Sequence, residues 1–108
     1  MKTVGKYKLV ISTHSDKESA KKLAKAIVEK KLGACVQLIQ MDSIYMWEGK
    51  TCDEPEILIL IKTEESKYSE LELYIKSIHT YKNPEIICID IENGSSDYLS
   101  WITSSLKS

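Results

Sequence analysis

Residues Ala34 to Lys62 carry the pattern that most restricts this chain: a long apolar-rich run, the dipeptide Glu48-Gly49, and a second run that returns. Glycine tolerates the φ > 0 backbone that closes a two-residue turn, so Ser43-Ile44-Tyr45-Met46-Trp47-Glu48-Gly49-Lys50 reads as the tip of a β-hairpin. At about 3.3 Å per residue the arm from Ala34 to Trp47 would span roughly 45 Å, whereas strands usually hold about five or six residues. A compact chain of this length should have a radius of gyration of only about 13 Å. Unless a bulge or bend shortens it, the hairpin overhangs the body and carries Tyr45 and Trp47 outward. These rings combine large apolar area with one polar handle, and a neighbouring subunit is the readiest place to bury them.

The remaining composition narrows the function classes. With 108 residues, 43% of them hydrophobic, and a formal charge of -1, the chain suits one soluble domain, 1–108, with a single core. The longest apolar run, Ile57 to Ile61, is far too short to span a membrane, and Met1 to Tyr7 lacks the apolar stretch of a secretory leader. Cys35, Cys52 and Cys88 are odd in number and show no CxxC spacing, so reduced thiols and a cytoplasmic location are expected. All 15 basic residues are Lys. Without Arg, bidentate phosphate clamps and direct guanine readout lose their usual donor, and a near-neutral chain lacks the basic footprint of a nucleic-acid binder.

Tyr7 to Ser12 reads as a strand, and Ser15-Asp16-Lys17-Glu18 as a capping box with Ser15 at the cap. The helix that follows buries Ala20, Leu23, Ala24, Ile27, Val28 and Leu32, exposes a Lys-rich face, and stops at Gly33. After the hairpin, whose returning arm runs from about Cys52 to Lys62, Pro55 marks an irregular or edge stretch up to Glu56. Thr63-Glu64-Glu65-Ser66 opens a second helix with a stripe of Tyr68, Leu71, Tyr74, Ile75 and Ile78, broken by Tyr81 to Pro84. Glu85 to Ile91 is a last strand, and Gly94-Ser95-Ser96-Asp97 caps a terminal helix bearing Tyr98, Leu99, Trp101 and Ile102.

The order β-α-β-β-α-β plus a C-terminal helix predicts an α+β, ferredoxin-like antiparallel sheet with two helices on one face. Ile57-Leu58-Ile59-Leu60-Ile61 and Ile86-Ile87-Cys88-Ile89 are apolar at successive positions, so both faces of these strands call for burial. Two helices cover only one side. The other face predicts a closed symmetric oligomer, in which five further Ile or Leu side chains per subunit would contribute roughly 7 to 15 kcal/mol before association costs.

Ala34-Cys35-Val36, Ser43-x-Tyr45-x-Trp47-Glu48-Gly49-Lys50, Ile61-Lys62-Thr63, His79-x-Tyr81-x-x-Pro84-Glu85 and Asp97-Tyr98-Leu99-x-Trp101 together resemble the CutA family of divalent-cation tolerance proteins, over nearly the whole chain. The resemblance implies a tight cytoplasmic homotrimer whose hairpins reach along a neighbour. It also implies a link to heavy-metal tolerance and copper binding, and in animal members to acetylcholinesterase anchoring; the trimer resembles nitrogen-regulatory signal proteins. No catalysed reaction defines that family.

Departures from the family pattern weaken the metal site. Gln40-Met41 stands where Pro-Gly is usual, so a bend there must be made differently, and His79-Thr80-Tyr81 replaces His-Pro-Tyr. Members assigned a copper site offer a first-strand Cys and a paired His, where this chain has Ser12, Ile78 and His79. One imidazole does not hold copper tightly, because a transition metal wants about three or four donors. His79 therefore reads either as a hydrogen-bonded interface or helix-terminal histidine or as a weak ligand for Cu²⁺ or another divalent cation. His14 reads as structural. Cys35 and Cys88 read as small core residues and Cys52 as the more exposed thiol. Trp47 and Trp101 serve as anchors, yet with Tyr45, Lys62, Tyr81 and Glu85 they could line an inter-subunit ligand cleft. Asp53, Glu54 and Glu56 form a solvated arm that hard cations could visit.

Other ferredoxin-like functions fail on their residues. A copper chaperone needs CxxC where Thr13-His14-Ser15-Asp16 stands, an iron–sulfur ferredoxin needs four spaced cysteines, and acylphosphatase chemistry needs Arg. Ile57 to Ile61 lacks the rings of an RNA-recognition sheet. The expectation is a non-enzymatic homotrimer, without a tightly bound cofactor, that binds a divalent metal or small ligand at inter-subunit clefts. The alternative is a structural or signalling trimer that docks a partner protein.

Overall fold

The computed structural model describes residues 5–107; Met1 to Val4, part of the segment read for a leader, lie outside them. The elements are β1 (Tyr7–His14), α1 (Lys17–Glu29), β2 (Cys35–Trp47), β3 (Lys50–Glu64), α2 (Glu65–Ile78), β4 (Ile86–Asp90) and α3 (Ser96–Ser105). The described strands form one sheet in the order β2-β3-β1-β4, with each neighbouring pair antiparallel. This is the ferredoxin-like arrangement expected from the element order.

Side chains alternate across a strand, and register decides which of them share a face. Val10 lies opposite Ile61 and Ser12 opposite Ile59, so these residues and Ile57 point to the helix side. There they pack with Leu23 and Ile27 of α1 and with Leu71 and Ile75 of α2. Ile11, Leu58 and Leu60 take the opposite face, with Ile39 on β2 and Ile87 and Ile89 on β4. As expected, α1 and α2 cover only the first face; the C-terminal helix covers one end of the other. There α3 packs Ile102 and Leu106 against Ala34 and Tyr7, and the Thr103 hydroxyl donates to Glu64 Oε2 (2.6 Å) while meeting the Tyr7 hydroxyl (2.8 Å). Ile39, Ile87 and Ile89 remain 45–48% exposed in the single chain.

The hairpin is as long as its sequence implied. Register runs from Cys35↔Lys62 to Trp47↔Lys50 without a slip, so no bulge shortens it. Gln40-Met41 pairs regularly with Ile57 and Glu56, which leaves no break at the position where a bend was expected. Glu48 joins Gly49 at positive φ (50° and 77°), the combination that a type I′ turn requires. Pairing with β1 ends at His14↔Ile57, so β3 from Lys50 to Glu56 and its β2 partners stand beyond the body. Pro55 lies in that overhang opposite Asp42, where β3 has a free edge and a missing N–H costs no ladder bond. The radius of gyration, 14.8 Å, and a long axis of 44 Å reflect the projection.

Two helix boundaries differ from expectation, each for a local reason. Asp16, not Ser15, caps α1: its carboxylate accepts from the Ser19 amide (2.8 Å) and hydroxyl (3.0 Å). A charged acceptor outcompetes a hydroxyl for an N-terminal amide. These bonds, the amide first, also hold the Asp16 pKa below its ordinary value. At the other end Lys31, not Gly33, takes the left-handed conformation (φ 61°). Leu32 N–H then reaches Ile27 O (3.0 Å) and Lys31 N–H reaches Val28 O (3.0 Å), the paired bonds of a Schellman stop.

Gly33 is needed for closeness instead, since an added Cβ would sit 2.8 Å from Ile61 Cγ2 and 2.9 Å from Ile27 Cγ2. Both neighbours are fully buried and have no room to yield. Gly33→Ala should therefore destabilise the fold by about 1–3 kcal/mol through overpacking. Denaturant unfolding at fixed protein concentration checks this, and an unchanged midpoint would contradict the packing account.

Candidate functional site

The residues expected to line a cleft fall into three groups along the sheet. Cys35, opposite Lys62, shares a face with every second residue of β2, so Lys62, Tyr45 and Trp47 all lie on the side away from α1 and α2. Near Lys62, its ammonium donates to the Tyr98 hydroxyl (3.1 Å) and lies 5.1 Å from the centre of that ring. Trp101 stacks on Tyr98 at 5.5 Å. At the hairpin base, Tyr81 donates its hydroxyl to Glu56 Oε2 (2.9 Å). Burial first and this carboxylate second push the Tyr81 pKa up to about 12, so the phenol stays neutral. Tyr45 and Trp47 stand far along the overhang, Trp47 64% exposed.

Separation within one chain is the decisive quantity. The Trp47↔Lys50 row lies twelve β3 residues from Lys62, roughly 40 Å at about 3.3 Å per residue. No single subunit brings Trp47 to Lys62 and Trp101. Glu85 is exposed just before β4.

His79 sits where α2 ends. Its Nδ1 accepts from the Tyr81 amide (3.0 Å), so the ring proton is on Nε2 and goes to Thr13 O (2.7 Å). Both nitrogens are thus occupied, and a metal would have to displace one of these bonds. His14 stacks on His79 at 4.3 Å and approaches Tyr81 at 6.0 Å. Ser12 is fully buried on the helix face, and its Oγ has no hydrogen-bond partner among the described residues. Ile78 is half exposed. Among the described residues no group of three or more His, Cys, Asp or Glu is placed to hold a metal ion.

The cysteine readings need two corrections, because Cys88 and not Cys52 is the exposed thiol. Cys88 is exposed rather than core, because β4 is the outer strand and no helix closes over it; Cys35 and Cys52 are half-buried. Cys52 pairs with Tyr45, and desolvation followed by Glu54 raises the Tyr45 pKa. Asp53 and Glu54 are exposed on the same arm.

A family model described as CutA1 divalent ion tolerance protein matches residues 8–105. The chain belongs to the CutA1 family. It is 42% identical over 91 residues to protein CutA of Mus musculus, a match covering 83% of this chain and 51% of that one. A divalent-cation tolerance protein CutA of Thermus thermophilus is 37% identical over 95 residues, 87% of this chain and 92% of that one. The chain spans about half the length of the animal CutA relatives. Among solved structures, CutA from Synechococcus elongatus superposes with a TM-score of 0.93 at 32% identity, covering 96% of this chain and 93% of that one. No described helix is long and apolar enough to cross a membrane.

Within the CutA1 frame, His14 is the residue that sequence reasoning undervalued. It is 5% exposed, and burial first, then the neighbouring His79, lowers its pKa below the ordinary 6.5. The unfolded chain therefore binds this proton more tightly, and stability that is full above about pH 6.5 falls as pH drops through the folded pKa. His14→Gln should flatten the loss of melting temperature between about pH 7 and 5. Parallel melting curves for the variant and the parent would remove His14 as the cause.

Proposed function

We propose that the chain works as a cytoplasmic, non-enzymatic homotrimer whose clefts weakly bind a divalent cation, such as Cu²⁺, or a small ligand in metal tolerance. One observation carries this reading: Trp47 and the Lys62–Tyr98–Trp101 group share one sheet face yet lie roughly 40 Å apart along the ladder. A neighbouring copy is what can lay a hairpin tip against that group. The uncovered Ile39, Ile87 and Ile89 supply apolar area for the same association. Membership of a family described by divalent ion tolerance supports the metal connection. Weak affinity follows from His79, whose two nitrogens already hold hydrogen bonds, and from the lack of a ready ligand cluster among the described residues.

Light scattering after size exclusion should report a trimer. Trp47→Ala should weaken it by about 2 kcal/mol per interface, and a stable parent monomer at micromolar concentration would sink the assembly. Calorimetric titration of Cu²⁺ should give a shallow isotherm that His79→Ala diminishes further. Superimposable isotherms would exclude His79 from the metal's ligands.

A further inference from the structure

On the helix side of the sheet, away from Lys62, Tyr98 and Trp101, a cavity of about 400 Å³ lies between α1 and the end of α2. Small-molecule sites commonly enclose about 300–1,000 Å³. Leu23, the Tyr74 ring and Ile78 give it apolar walls, and Lys22, His14 and His79 line it as well. No carboxylate lines it among the described residues.

His14 defines its chemistry. Its Nδ1 accepts from the Ser15 amide at 2.9 Å, which places the neutral ring's proton on Nε2. His14 is 95% buried as a residue, yet its Nε2 keeps access to solvent: that N–H has no acceptor among the described residues, and Ser12 Oγ alone among them is a buried side-chain polar atom without a partner. His79 contributes no such donor, because its own Nε2–H is engaged by Thr13 O. The two carboxylates whose charge acts on His14 are also engaged, Asp16 by Ser19 and Glu56 by the Tyr81 hydroxyl. What remains is one ammonium and one solvent-accessible neutral donor beside an apolar wall. A metal ion is not suited, since each imidazole presents Nδ1 to a backbone amide. A dianion would need more positive charge than Lys22 supplies.

We propose that this cavity binds a small organic monocarboxylate, its carboxylate held by the Lys22 ammonium and the His14 Nε2–H and its apolar body laid against Leu23, Tyr74 and Ile78. The site is lined by residues of one chain and borders His79, the weak cation ligand proposed above, while standing apart from Lys62, Tyr98 and Trp101.

Titration of the ¹⁵N-labelled full chain with benzoate at neutral pH tests it, with benzamide as the uncharged isostere. Benzoate should give saturable shifts of the Ser15, Ser19 and Lys22 amides. Benzamide should bind at least about tenfold more weakly, and Lys22→Gln should lose roughly fivefold or more in benzoate affinity. Lys22 is exposed on α1, so this variant folds as the parent does; His14→Phe, which keeps the ring and removes the donor, should lose more. Absence of saturation up to about 20 mM benzoate, equal binding of benzamide, or parent-like binding by Lys22→Gln would each overturn the assignment. Shifts confined to Lys62, Tyr98 and Trp101 would overturn it too, without touching the cleft proposal.

Discussion

An unslipped ladder passes one choice of register along its whole length. Cys35 facing Lys62 determines that Trp47 faces Lys50, and with it the side on which every ring of the overhang stands. A slip of one residue would turn Tyr45 and Trp47 to the helix side and bring Ile44 and Met46 to the open face. Packing of Val36 and Leu38 on β2 with Ile57, Ile59 and Ile61 beneath α1 and α2 opposes that slip. The helix core, on one side of the sheet, thus determines the chemistry offered on the other. Gly33 strengthens the coupling by letting the chain between α1 and β2 approach Ile61 without a side chain of its own.

Much of this architecture could be read from local pattern. Element order, the long hairpin and its turn follow from apolar runs and from Glu48-Gly49, because they depend on residues close in sequence. The displaced cap of α1 is also local, yet it turns on a competition between two adjacent acceptors, Ser15 and Asp16, that pattern alone does not rank. The Schellman stop escaped because Lys31 adopts a backbone conformation that composition assigns to glycine. Cys88 was misplaced because an apolar strand reads alike at the centre and the edge of a sheet.

The site was legible only in part, and distance along the chain is the reason. Lys62, Tyr81 and Trp101 could be named from motifs, but which of them meet depends on the sheet. His14 and His79 stack across 65 positions of sequence, and nothing near His14 announces its burial. The hydrogen bonds of His79 likewise join three segments, and they turn a candidate ligand into a strut between α2, β1 and the loop that follows. Ring nitrogens engaged in this way are invisible to residue-type counting.

Within the single chain nothing crowds the hairpin tip: nothing lies within 4 Å of the Cβ position at Gly49, although its φ of 77° itself favours glycine. One residue added to each arm would move the turn outward by about 3.3 Å and leave the facing of every row below it intact. One residue added to a single arm would throw the rows beyond it out of phase. The overhang therefore behaves as a graduated ruler. Its reach can be reset in fixed increments by matched insertions or deletions, while the body that holds its base stays unaltered.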